Sequence, residues 1–200
     1  MNLKQETLWE AIQNRRTLKP VDYTGETIDD RLIQNILEAA NWAPTHGYTE
    51  PWRFCVYKSE AKQALAQFLA DLDQPDLQDS DFNAQRYERL QTRFDQVSHV
   101  IGIGLQPGDN PKVPEIEEVC SVAMAVQNMW LMVHQTGLAG YWSTGSLAFR
   151  DELRAYFGLP DNAKTLGFFL LGVPAKEARP GRRLSPIDQK TTWFSEAPKD

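Results

Sequence analysis

Two hundred residues with 42% hydrophobic and 24% charged side chains are enough for one core that folds without staples, and the balance excludes a disordered chain. A formal net charge of −6 and a pI near 5.1 exclude the broad basic face that nucleic acid requires. The basic residues nevertheless cluster at Arg15–Arg16 and at Arg179, Arg182 and Arg183, a pattern suited to a small anionic ligand.

In chain order, residues 5–14 read as a short helix with Leu8 and Ile12 one turn apart, halted by Pro20. Thr27 and Asp30 look like a capping box for a second helix with Leu32, Ile33, Ile36, Leu37 and Ala40 on one face. That helix must end by Pro44, which pushes its predecessor out of the helical region. Arg53–Tyr57 reads as a strand, and Ser59 as the cap of a helix whose stripe is Leu65, Phe68, Leu69 and Leu72. An acidic loop at 73–80 precedes an amphipathic helix over about 81–95, with Tyr87, Leu90 and Phe94 at helical spacing. Val97–Leu105 is a strand in which Gly102 and Gly104 permit close approach of other backbone.

The best-marked helix starts with Pro114 at its first position, carries Glu115, Glu117 and Glu118 in its first turn and stops at Gly137. Its second half, Val122–Val133, is apolar on nearly every face. Such a helix must be buried all round, by a central position or by a second subunit. A strand near Leu138–Trp142, a helix at about 147–157 and a strand around Leu166–Leu171 complete the body. The proline-punctuated tail from Ala175, with Trp193–Phe194 its notable apolar cluster, has no core of its own. The mixture points to an α+β or α/β class.

Gly102-Ile103-Gly104 runs into Gln106-Pro107-Gly108 instead of opening a helix, which rules out a dinucleotide fingerprint. No Walker, HExxH or GxSxG sequence is present, and His46, His99 and His134 lack metal-ligand spacing, so no metal site is expected. Cys55 and Cys120 lie in apolar runs and read as buried thiols of a reducing compartment. The stretch Met1–Asn14 has no apolar core of signal-peptide length, and Val119–Val133 is too short and too interrupted to span a bilayer. A cytoplasmic protein is expected, with no membrane and no nucleic-acid partner.

Four segments carry the chemistry: Arg15-Arg16-Thr17-Leu18-Lys19; Ala43-Pro44-Thr45-His46 leading into Glu50-Pro51-Trp52-Arg53-Phe54; Gly140-Tyr141-Trp142-Ser143-Thr144-Gly145; and Gly181-Arg182-Arg183-Leu184. In this order and spacing the chain resembles the nitroreductase family of FMN-dependent NAD(P)H oxidoreductases over nearly its whole length. The resemblance implies a single domain over 1–200. Its fold would be α+β, a central mixed β-sheet flanked by helices, in an intertwined homodimer with residues from about 175 to 200 as a C-terminal arm.

It also implies roles. Guanidinium forks suit a phosphate, so Arg15, Arg16 and Thr17, completed by Arg182 and Arg183, would hold the FMN phosphate. The same arginines read equally as charges neutralising a helix C-terminus and a solvated cluster. Lys19 would sit near flavin N1 and the C2 carbonyl; otherwise it is a surface lysine. Pro44, Thr45 and His46 would line the flavin of the other subunit, with Trp42 in the core. Glu50 departs from the glutamine common before Pro-Trp, and an ionised carboxylate cannot donate a hydrogen bond. Trp142, Ser143, Thr144 and Gly145 would direct backbone N–H groups at flavin N5 and O4, while Ser146 caps the next helix. Trp142, Phe82, Tyr87 and the acidic loop are candidates for the substrate side. No catalytic side chain is expected, because the cofactor performs the bond-making. The implied reaction passes hydride from NADH or NADPH through FMN to a nitroaromatic, quinone or similar flat acceptor. Other readings are a non-enzymatic FMN-binding or storage protein, a dehalogenating or desaturating family member, and a cofactor-free dimeric interaction module.

Overall fold

A central four-stranded sheet lies between two layers of helices in the computed structural model, which describes residues 7–74 and 82–196. The strands β1 (Trp52–Tyr57), β2 (His99–Leu105), β3 (Ala139–Ser143) and β4 (Lys164–Gly172) are ordered β1-β2-β4-β3. Every neighbouring pair is antiparallel, which corrects the expected mixed sheet. The parallel contact among the described residues is one isolated bridge, Thr17 to Gly140.

One face of the sheet is covered by α2 (Asp30–Asn41) and α5 (Glu115–Gln135). Ile33, Ile36 and Ala40 of α2 pack with Val122, Val126 and Met129 of α5 against Ile101, Ile103 and Phe169. The other face meets α3 (Glu60–Asp73), α6 (Asp151–Tyr156) and the segment after α4 (Ala84–Gln91), through Leu65, Leu69, Leu153, Phe157 and Phe94 against Val100, Phe168 and Leu170. Strand β2 is buried on both faces throughout, which is why its sequence runs apolar without alternation. Gly102 makes room for a side chain, since a Cβ there would stand 2.4 Å from the Phe157 ring; at Gly104 a Cβ would meet both the Leu159 side chain at 2.7 Å and the Arg53 carbonyl oxygen at 3.3 Å. The β2–β4 register shifts between these two glycines.

Local chemistry sets the helix ends, with some departures from expectation. Helix α1 covers Leu8–Asn14 and is opened by a capping box between Thr7 and Glu10; residues 5 and 6 lie outside the described residues. Asp29, not Thr27, caps α2 by accepting from the Arg31 N–H. Ser59 precedes α3 at φ 48° without a side-chain cap, and Pro114 is the cap of α5 instead of its first residue. The helix expected over 81–95 is shorter, with residues 92–95 in turns. The one expected at 147–157 divides into a 3-10 turn, Ser146–Phe149, and α6. Most of the acidic loop and the final residues 197–200 are outside the described residues.

Helix α5 is buried along Val122, Val126, Met129 and Val133, but Ile116 (66% exposed) and Met124 (39%) lie open. Cys120, between them, is also exposed, and Cys55 is only half-buried, so neither thiol is fully enclosed in one chain. Trp42, expected in the core, is 79% exposed and donates from Nε1 to Glu38.

Candidate cofactor site

Where α1 stops at its C-cap Arg15, the chain turns extended and runs beside the start of β3. Thr17 bridges Gly140, and the Leu18 N–H donates to the Gly140 carbonyl at 3.3 Å. Tyr23 locks the segment from below: buried, its hydroxyl donates to the Leu18 carbonyl at 2.8 Å. Burial together with Asp22 pushes the Tyr23 phenol far above its ordinary pKa. The tail returns to the same place because the Ala175 N–H donates to the Asp22 carbonyl at 2.8 Å and Lys176 pairs with Asp22 at 2.6 Å.

The result is a cleft of about 460 Å³ lined by Arg15, Arg16, Thr17, Arg182 and Arg183. Five of the residues predicted for the phosphate thus come together from opposite ends of the chain. Arg15 is the informative member. Its guanidinium lies over the Trp130 ring, 4.4 Å from the centroid, and its buried Nη1 has no hydrogen-bond partner. Burial, then the charges of Arg16 and Arg183, lower its pKa. A buried cationic donor without an acceptor, next to two like charges, is a costly arrangement that an anion would relieve.

Arg16 is differently employed. Its Nη1 donates to the carbonyls of Gln13 and Arg15 at 2.5 and 2.7 Å, and its Nε to the Arg179 carbonyl at 3.2 Å. The guanidinium lies where a Cβ on Gly181 would be, 2.0 Å from Nη2. Arg16 therefore clamps the returning tail across the end of α1, and the glycine of the Gly-Arg-Arg segment is what lets it lie there.

The other predicted residues stand elsewhere in the single chain. Lys19 is exposed at the start of the Pro20–Asp22 turn and does not line the cleft. Trp142 to Gly145 leave the far end of β3, about 10 Å from Gly140 at the usual strand rise. Trp142 donates from Nε1 to the Leu166 carbonyl at 2.9 Å, Ser143 is buried, and Thr144 and Gly145 are exposed. Gly145, not Ser146, occupies the cap of the following 3-10 turn. The Ser143 carbonyl approaches Gly167, whose φ of +108° and 2.4 Å clearance leave no space for a side chain.

Pro44, Thr45 and His46 line a separate cavity of about 300 Å³ with Ile116, Glu117, Cys120 and Met124. His46 Nδ1 is paired with the Glu117 carboxylate, and Thr45 accepts from the Glu50 N–H at 3.2 Å. One chain does not unite this loop with the arginine cleft. Phe82 and Tyr87 pack on each other, 5.6 Å between ring centroids, and the Tyr87 hydroxyl donates to Asp71 on α3, away from the cleft.

Sequence reasoning missed Arg93, whose Nη2 donates to Ser143 Oγ at 3.3 Å. It also missed Glu117 as the partner of His46; its only sequence signal was the acidic first turn of α5. Among the described residues no cluster has the make-up of a metal site, and no helix is long and apolar enough to cross a membrane.

The nitroreductase family model matches residues 12–173. The NADH dehydrogenase of Thermus thermophilus is 28% identical over 197 residues, spanning 92% of this chain and 94% of that protein. Among solved structures, a nitroreductase-like family protein from Bacillus cereus superposes with a TM-score of 0.83 at 21% identity, covering 98% of this chain and 100% of that one. The NADPH:FMN oxidoreductase of Vibrio harveyi, solved with NAD+, superposes with a TM-score of 0.70 at 16% identity, covering 96% and 79%.

Proposed function

Because the chain belongs to the nitroreductase family, we propose that it is an FMN-dependent oxidoreductase passing hydride from NAD(P)H to a nitroaromatic, quinone or similar flat electrophile. The observation that carries this reading is the half-buried Arg15 side chain, whose Nη1 is buried without a hydrogen-bond acceptor, in a cleft shared with Arg183 and Thr17. A phosphomonoester is the anion whose charge and acceptor geometry fit that donor set. FMN bound there supplies the hydride relay between donor and acceptor.

The chain's own residues do the holding. Arg15 and Arg183 grip the phosphate with the Thr17 hydroxyl, Arg182 adds to the field, and Arg16 keeps the tail in place. Lys19, exposed shortly after Thr17 in the chain, would offer a cation to the ring. Trp142, Ser143, Thr144 and Gly145 would face the ring, where the exposed Gly145 backbone would allow close approach. No side chain forms a covalent bond in this scheme.

The site is completed by a second copy. The open row Ile116, Cys120 and Met124 on α5, beside Pro44–His46, and the exposed Leu184, Trp193 and Phe194 of the tail support a homodimer that brings each 44–46 loop to its partner's cleft. The residues from about 175 onward act as the arm, and the whole chain is one domain.

The test is an absorbance spectrum of the purified protein, then anaerobic titration with NADPH and NADH and turnover with a quinone. Flavin bands that bleach with the nucleotide and return with the quinone are expected. A colourless protein whose melting temperature does not respond to FMN would refute the proposal, and a yellow protein that neither nucleotide reduces would leave a storage role instead.

A further inference from the structure

We infer that Arg93 is a positioning residue that orients the Ser143 hydroxyl and places a fixed positive charge behind the 142–145 segment, raising the reduction potential of the flavin. The inference rests on the proposed function, which assigns that segment to the ring edge.

Arg93 follows α4 in the turn before β2. Its guanidinium lies 4.8 Å from the centroid of Phe94 and 5.4 Å from that of Phe168, an arrangement planar guanidinium groups favour over ammonium. Among the described residues no carboxylate pairs with it, and burial lowers its pKa, opposed only by Tyr141. A guanidinium nevertheless keeps its proton in a protein. The half-buried charge is therefore permanent and, among the described residues, unpaired with an acid.

The acceptor it finds is Ser143 Oγ, buried at the end of β3. A guanidinium has donors only, whereas a hydroxyl has one proton and two lone pairs. Ser143 must therefore accept from Arg93, and its own proton is left to be donated away from the arginine. One contact thus fixes the polarity of a hydroxyl and holds the strand end against Phe168, the Ser143 partner on β4. Sequence distance conceals this: Arg93 and Ser143 are 50 positions apart.

Negative charge accumulates on a flavin as it is reduced, and a preorganised cation stabilises charge that develops near it.

The test uses the FMN-loaded protein and compares wild type, Arg93→Gln, Arg93→Lys and Ser143→Ala by spectroscopic redox titration against a reference dye. Arg93→Gln is expected to keep its flavin and lose about tenfold in the two-electron reduction equilibrium, a fall of about 30 mV. Arg93→Lys should recover most of that loss, and Ser143→Ala should show roughly half of it in mV. Should Arg93→Gln not fold, Ser143→Ala carries the test, since it removes only the hydroxyl. Unchanged potentials in the yellow variants overturn this inference alone. A wild type that takes up no FMN overturns the proposed function and this inference together.

Discussion

Replacing Arg15 with methionine separates a ligand-binding arginine from a structural one, because the two predict opposite signs for the stability of the flavin-free protein. Methionine keeps most of the flexible, unbranched stem while removing the charge and the guanidinium stacked on Trp130. In the flavin-free protein, the buried Nη1 lacks an acceptor, and such a donor costs about 1–3 kcal/mol. Its stacking on Trp130 at 4.4 Å returns about 0.5–1 kcal/mol. Removing the guanidinium, and with it the repulsion from Arg16 and Arg183, should therefore stabilise the flavin-free protein by about 1 kcal/mol. For a chain of this size that raises the melting temperature by roughly 2–4 °C. In the FMN complex the same change removes hydrogen bonds between charged groups, about 1.5–3 kcal/mol each, so the FMN dissociation constant should rise on the order of 100-fold. Calorimetry of the flavin-free protein and a fluorescence titration with FMN measure the two effects. A variant that melts below wild type and binds FMN with wild-type affinity would refute the reasoning.

Gly181→Ala places a methyl group where the Arg16 guanidinium lies; the flexible arginine moves aside, so the melting temperature should barely change while FMN binding weakens by up to about tenfold, as expected for losing one or two hydrogen bonds that held the tail. Met124→Asp puts a charge into the open row of α5, and light scattering should then report a monomer that retains little FMN, because burying an unpaired charge opposes association. The pH dependence of unfolding should show two steps with the same sign. His99 is buried with Nε2 3.1 Å from Asp30, and desolvation holds its pKa below the ordinary 6.5; the unfolded chain therefore binds the proton first, and stability falls as pH drops below about 6.5. Hydrogen bonds from Lys58 and His99 keep Asp30 below the ordinary carboxylate value, so its contribution is present above about pH 4 and is lost as pH falls through the folded value. Denaturant titrations from pH 8 to pH 3 should resolve both; His99→Gln should flatten the upper one and leave the part of the lower one that Lys58 maintains.

Periodicity and composition determined much of this protein before any coordinates. The i, i+3, i+4 stripe of α2, the unbroken apolar run of β2 and the acidic start of α5 are local patterns, and local patterns dictate what each segment can become. The two arginine clusters were legible for the same reason, since charge of one sign in an acidic chain needs an explanation. Tertiary structure decided what depends on contact between distant positions: the antiparallel register of all four strands, the exposure of Trp42 and Cys120, the hold of Arg16 on the returning tail, and the pairing of Arg93 with Ser143. A guanidinium has the same local signature whether it meets a carbonyl 163 residues away, a hydroxyl 50 residues away or nothing. Hydrogen-bond direction and burial are properties of the assembled layers, so they become readable only when the chain has closed on itself.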